Sequence, residues 1–371
     1  MSKTLIIGNI AGAGYRIKKS ISRTGLDIDI LVSDNDLNRT DDPSWEDLNA
    51  VKGIDFDTFT NALSIDDSDF LYGNKFTRKL YLYAKIRSHI RRNNYTFGLP
   101  MGIWPILFHE MKIPYVWLCA GSDVREVLGG TSPLSYLLQN AMKTCQGIVT
   151  PADDSMLKIL RKFIPEEKML IIPNYPIDTD IYQAKGKPKG PFRIYHPSRH
   201  LWYGLEASVS KANNCLMEAV ARLKNETAVE LEMAEWGKHL SQSKELVSKL
   251  GLDDVTSWHG LITKPEMVKK YQQASCVVDH VGWGMVSQTS QEGLSCGKPV
   301  LANMSSSVLK NFPDIPIINV SDTDSCYKAL HSLATDDVFY ETKRLQSHSW
   351  LKDNWSVEVM GDKIINFFGL K

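Results

Sequence analysis

The 371-residue chain has no surplus of charge: 43 Lys and Arg stand against 43 Asp and Glu. A balanced chain is not a general polyanion binder, so nucleic acid is not an expected partner, although balance does not forbid a local basic patch. Paired cysteines are missing as well. Cys119, Cys145, Cys215, Cys276, Cys296 and Cys326 are scattered, without a CxxC. Several fall in apolar segments, which suggests buried free thiols in a reducing compartment rather than a disulfide framework. No apolar run approaches the ~20 residues that cross a bilayer. The opening Met1–Ile10 has too few apolar residues for a signal-peptide core and makes a better first strand. The expected location is the cytoplasm, with any membrane contact peripheral at the inner face. Metal-ligand spacing is absent too. The acidic stretch 41–70, with Lys52 as its lone cation, is too irregular for a metal loop and reads as a solvated insertion or lid.

What is present is ordinary for a soluble protein: 43% hydrophobic and 23% charged residues. The length exceeds what one core usually supports, so two domains are expected. Thr4–Ile10 is an apolar run ending in Gly12-Ala-Gly14, followed by a helical pattern over Arg16–Arg23 and a strand at Asp27–Ser33. Strand, glycine turn, helix and strand open a parallel α/β sheet. The glycine turn is a weak dinucleotide fingerprint, because Ile17 stands where the third glycine belongs. Further alternation reaches Ile172, with Ile113–Cys119 a buried strand ending in Ala120-Gly-Ser-Asp123. Residues 176–191, rich in Pro, Gly and Lys, read as a linker. The alternation restarts at Phe192 and runs to about residue 350, and 351–371 reads as a closing helix. Two open sheets joined by one linker imply a ligand cleft between domains.

Residues 74–93 carry Lys75, Arg78, Lys79, Lys85, Arg87, Arg91 and Arg92 without an acid, with Phe76, Leu80, Tyr83 and Ile90 at helical spacing. This is a solvated basic face or a contact for an anionic membrane surface or lipid-linked phosphate.

Near the C-terminal end, Ser290-Gln-Glu292-Gly-Leu-Ser-Cys-Gly297-Lys-Pro299-Val reads as a helix stopped by glycine and followed by a buried strand. The start of such a helix collects unpaired N–H groups that can hold a phosphate. Glu292-Gly-Leu-Ser-Cys-Gly-Lys-Pro-Val300 resembles the "EAMACGKPV" segment of the retaining group-1 glycosyltransferases. In order along the chain, Asn9–Gly14 is similar to that family's glycine turn, and Ile172-Pro-Asn-Tyr-Pro-Ile-Asp178 to its "PNGVD". His196-Pro-Ser-Arg199 with Lys211 resembles the basic pair, and Trp258-His-Gly260 with Tyr271–Val278 its "G…Y..AD". The resemblance implies a GT-B fold, two Rossmann-like domains facing across a cleft. It implies transfer of a hexose-type sugar from a nucleoside diphosphate sugar to a saccharide or lipid-linked acceptor, with retention and without a metal.

On this resemblance Arg199 and Lys211 neutralise the leaving diphosphate, and N–H groups near Ser287 share that task. Glu292 grips the ribose with both oxygens, and His259 and Gly260 wall the nucleobase. Gly12 and Gly14 bring backbone N–H groups toward the donor. Asp123 caps a helix, orients the acceptor, or both. His259 is equally a satisfied structural histidine on its residue type alone. The chain departs from the pattern at Gly284, where a second glutamate is usual, and His200–Val209 separates the basic pair. These departures keep two other readings open: a non-catalytic partner subunit of an active transferase, and a sugar-nucleotide epimerase of the same fold.

Overall fold

The computed structural model describes residues 3–31, 76–202 and 210–370, with side chains of 76–82 left aside. The acidic stretch 41–70, Lys75 and residues 203–209 lie outside the described residues. The chain divides into two α/β units: Met1–Pro176 with Val357–Lys371, and Ile177–Ser356.

In the first unit, β1 (Lys3–Ile7) is followed by α1 (Ala13–Ser22) and β2 (Ile28–Leu31). Then come α2 (Phe76–Arg92), β3 (Tyr95–Pro100), α3 (Pro105–Met111) and β4 (Val116–Leu118). The unit continues with α4 (Pro133–Ala141), β5 (Gly147–Pro151), α5 (Asp154–Leu160) and β6 (Met169–Ile172). The strands form parallel sheets ordered β2-β1-β3 and β4-β5-β6, and single bridges from Gly98 to Tyr115 and Met101 to Leu118 join β3 to the start and end of β4. Strands with no exposed face need apolar runs, and Leu5, Ile6, Trp117, Leu118 and Val149 are all 0% exposed.

The second unit contains β7 (Phe192–His196), α6 (Asn213–Leu223), β8 (Val229–Ala234), α7 (Leu240–Lys249) and β9 (Thr256–His259). It continues with α8 (Lys264–Gln273), β10 (Cys276–His280), α9 (Gln288–Ser295) and β11 (Val300–Ala302). It ends with α10 (Ser306–Asn311), β12 (Ile318–Asn319), α11 (Thr323–Thr335) and α12 (Asp337–Trp355). Its parallel sheet has the order β12-β11-β10-β7-β8-β9. Strand order therefore reverses between β7 and β10, the place where open α/β sheets leave a crevice at their carboxyl ends.

Two boundaries differ from the sequence reading. Residues 177–186 belong to the second unit and are bonded to it: Ser295 Oγ donates to the Tyr182 carbonyl at 3.1 Å, and Lys185 N to the Cys296 carbonyl at 3.1 Å. Composition marks such a segment as a loop but is blind to what it lies on. The closing segment is two helices, α12 and α13 (Val357–Phe368), parted at Ser356, whose φ of −75° and ψ of 163° are extended. α13 packs on α1 in the first unit, where Ser20 Oγ donates to the Val357 carbonyl and Arg23 pairs with Glu358 at 2.6 Å. No helix among the described residues is long and apolar enough to cross a membrane.

Candidate functional site

The second unit gathers its polar residues at the strand-order reversal. β7 leads into His196-Pro-Ser-Arg199, and the neighbouring β10 ends in Asp279-His280. His196 is 1% exposed; its Nδ1 donates to the Val278 carbonyl at 2.6 Å and its Nε2 accepts from Asn213 Nδ2 at 2.8 Å. Burial pulls its pKa to about 3, so the ring is neutral, and the carbonyl fixes the Nδ1–H tautomer. Asn213 passes the order on: its Oδ1 accepts from Leu201 N at 2.8 Å and its Nδ2 donates to the Arg199 carbonyl at 3.3 Å. The backbone carrying Arg199 is thus pinned from below. The Arg199 side chain is partly exposed and has no carboxylate partner among the described residues. It is an uncommitted cation at the sheet edge.

Lys211 is different. Sequence reasoning gives it the same task as Arg199, whereas it is 5% exposed, 3.6 Å from Asp279 and 4.1 Å from the centre of the Trp283 ring. Burial pulls its pKa down, and the Asp279 carboxylate pushes back. Asp279 itself is 0% exposed. It accepts from Ser198 Oγ at 2.8 Å, from Ser290 Oγ at 2.7 Å and from Ser287 Oγ. Burial opposes its ionisation, but His280, Lys211 and the hydroxyls of Ser287 and Ser290 outweigh it and hold its carboxyl below the usual range. His280 donates from Nε2 to the Met285 carbonyl at 2.6 Å, burial lowers its pKa to about 4, and its buried Nδ1 has no partner among the described residues.

Ser287 caps α9, its hydroxyl oxygen accepting from Thr289 N at 3.1 Å. Capping residues favour this position because the first N–H groups of a helix lack carbonyl partners. Glu292 lies on α9, 1% exposed, where the sequence places a ribose-gripping carboxylate. Its Oε1 takes a bond from Tyr182 at 3.1 Å and one from the Lys264 ammonium, and its Oε2 takes one from Tyr271 at 2.7 Å. A carboxylate offers about four acceptor positions, so one remains, on Oε2. A grip on two hydroxyls at once requires Lys264 or a tyrosine to leave.

His259 ends β9, stacked on Tyr195 at 5.8 Å, with Nδ1 bonded to the Gly260 carbonyl at 2.8 Å and Nε2 without a partner among the described residues. Gly260 is exposed, with nothing near the place a Cβ would occupy. Gly284, where the family's second glutamate belongs, has φ +82° and gives its carbonyl to Ser305 N at 2.7 Å. The turn there favours glycine over any side chain. Gly293 has a packing reason: a Cβ would lie 2.8 Å from Val300 Cγ2.

The remaining expected residues are in the first unit. Gly12 has φ +76° at the start of α1. A Cβ on Gly14 would come within 2.1 Å of the Gly8 carbonyl oxygen, so close packing of α1 on the turn after β1 already demands a glycine. Arg16, on α1, is 5% exposed. Asp123 is 5% exposed, and its carboxylate accepts from Gly121 N at 2.6 Å, Val124 N at 2.9 Å and Ala120 N at 3.0 Å. It therefore ties the loop before its wide helical turn, Asp123–Leu128, as well as the turn itself. Burial raises its pKa to about 6 against those donors.

Sequence reasoning missed Lys264, Tyr182, Trp283 and Ser198. The one available signal was Asp279, a charge ending an otherwise apolar strand.

No family model matches the chain. The α-monoglucosyldiacylglycerol synthase of Streptococcus pneumoniae is 23% identical over 320 residues, 80% of this chain and 68% of that protein. Sucrose-phosphate synthase from Thermosynechococcus elongatus superposes with a TM-score of 0.68 at 11% identity, covering 100% of this chain and 99% of its own. HepE of Anabaena in complex with UDP-glucose gives 0.65 at 11% identity, with 100% of both chains covered. The fold of this chain is that of the GT-B glycosyltransferases.

Proposed function

We propose that the chain is a glycosyltransferase that moves a hexose-type sugar from a UDP-sugar to a glycan or lipid-linked acceptor, with retention of configuration. The observation that carries this reading is the uncommitted Arg199 beside the capped start of α9, at the strand-order reversal of the second unit. Support also comes from relatives whose names speak of UDP-glucose and of a glucosylated diacylglycerol.

In this scheme the bond between the anomeric carbon and the diphosphate oxygen breaks, and its electron pair stays on that oxygen. The acceptor oxygen attacks from the same face and its proton passes to the leaving phosphate. Arg199 and the N–H groups of α9 beyond Ser287 meet the charge as it grows, so they favour the transition state over the bound substrate. Lys211 adds a charge that is already shared with Asp279. Glu292 takes one ribose hydroxyl on Oε2, and His259 with Gly260 borders the base. Gly12 and Gly14 offer backbone N–H groups to the donor, and Asp123 serves the acceptor through the loop it ties. No metal is required, because the cations and the helix start supply the positive charge. The basic α2, with Arg91 and Arg92 exposed, faces an anionic membrane surface.

The test is release of UDP or GDP from a panel of nucleotide sugars, with diacylglycerol-containing anionic vesicles and oligosaccharides as acceptors. Turnover is expected with at least one UDP-sugar, and Arg199→Ala should cut kcat/KM by about 10²–10³. No turnover with any donor, together with tight association to an active homologous transferase, would establish the partner-subunit reading instead, which the glycine-only turn at Gly284 favours.

A further inference from the structure

Three stretches distant in sequence meet on one buried carboxylate. Ser198, which precedes Arg199, donates to Asp279 Oδ1 at 2.8 Å. Lys211, just before α6, places its ammonium 3.6 Å from the same oxygen. Ser287 and Ser290, the cap and first turn of α9, donate to Oδ2, the second at 2.7 Å. Asp279 is 0% exposed and cannot itself meet a ligand. Each of its partners, however, belongs to or adjoins a group that offers positive charge: Arg199, Lys211 and the N–H groups of α9.

We propose that Asp279 is a positioning residue for the diphosphate, setting the spacing of Arg199, Lys211 and the start of α9 from one buried point. This rests on the reading of the second unit as a nucleotide-sugar site. The burial of Lys211 explains why a carboxylate is used rather than an amide. An ammonium removed from water needs an opposite charge beside it, or it gives up its proton. Asp279 supplies that charge and, in the same stroke, fixes where the ammonium sits between the carboxylate and the Trp283 ring at 4.1 Å. The serines require an acceptor with lone pairs on both oxygens, which a carboxylate has and an amide has on only one. The Asp279 role also accounts for a feature of Ser287: its hydroxyl hydrogen is spent on Asp279, which orients the oxygen to accept from Thr289 N and so fixes the first turn of α9.

The role predicts a loss confined to the phosphate end of the ligand. Asp279→Asn should weaken UDP binding at least tenfold by calorimetry. Uridine binding, followed by ligand-observed NMR, should stay within twofold, because the ribose and base contacts do not pass through Asp279. A general collapse of the unit lowers both affinities equally, and that result would overturn the proposal, as would unchanged UDP affinity in a folded variant. If Asp279→Asn does not yield folded protein, Ser290→Ala removes one tie to α9 without a charge change. It should weaken UDP two- to fivefold and leave uridine alone; equal or absent effects on the two ligands count against the proposal. Wild-type protein that binds neither UDP nor uridine refutes the site reading itself, a result distinct from either variant outcome.

Discussion

Replacing Glu292 by glutamine asks whether the residue at the centre of the Glu292–Val300 segment is a ligand contact or a keystone of the second unit. The carboxylate is 1% exposed, and its partner Lys264 has a side chain 9% exposed. Tyr182 and Tyr271 donate to it at 3.1 and 2.7 Å. Removing one member of a buried ion pair strands the other charge, at a cost of about 3–5 kcal/mol. Glu292→Gln should therefore lower the unfolding free energy of the second unit by about that amount. Lys264→Met strands the carboxylate and should cost a similar amount, softened by the two tyrosine hydroxyls that remain. The double variant strands neither charge, and its loss should fall short of the sum by about 1–3 kcal/mol. Urea unfolding at pH 7, followed by tryptophan fluorescence, measures all three. Strict additivity, or a Glu292→Gln loss below about 1 kcal/mol, would refute the keystone role. UDP affinity, measured where Glu292→Gln is still folded, then reports separately on the one open acceptor position of Oε2.

Lys298 is fully buried and donates to the Gly186 carbonyl at 3.0 Å; burial lowers its pKa from 10.5 to about 8. Between those values the unfolded chain holds a proton that the folded chain has lost, so stability rises with pH. Relative to Lys298→Met, the wild type should gain up to about 3 kcal/mol between pH 8 and 10.5 in urea titrations, and a flat difference removes the argument. Gly284→Glu, which restores the family's second carboxylate, should cost about 1–2 kcal/mol in thermal unfolding because of the φ of +82°, without improving UDP-sugar affinity. Arg91→Glu with Arg92→Glu should reduce co-sedimentation with anionic vesicles at low salt; equal sedimentation speaks against membrane contact through α2.

The alternation of apolar runs with helical patterns is enough to mark out the strands, because strands buried on both faces admit little else. Thr4–Ile10 and Cys276–Asp279 each overlap an observed strand to within a residue at one end, and Ile113–Cys119 contains one. The start of α9 was legible too: a serine before a helical run has a local reason to cap it, and Ser287 does so. What was not legible is whom a polar residue faces. Lys211 and Arg199 look alike in sequence, yet one is locked to Asp279 and the other has no carboxylate partner among the described residues. Glu292 gives no local hint of Lys264, Tyr182 or Tyr271, which lie 28, 110 and 21 residues away. Nor does the sequence tell that Gly14 and Gly293 have a packing reason, with backbone and valine filling the space a Cβ would need. Local pattern specifies elements; pairing across the sequence is set only once those elements pack.

The break at Ser356 has a consequence for synthesis. α13 packs on α1, so the first unit closes only after Val357–Phe368 has been made, whereas the second unit, Ile177–Ser356, is continuous in sequence and precedes it. The later-encoded unit can therefore finish first, while the face of α1 that carries Ser20 and Arg23 waits for α13. A released chain truncated after Ser356 should hold a protease-resistant second unit and a first unit open to cleavage.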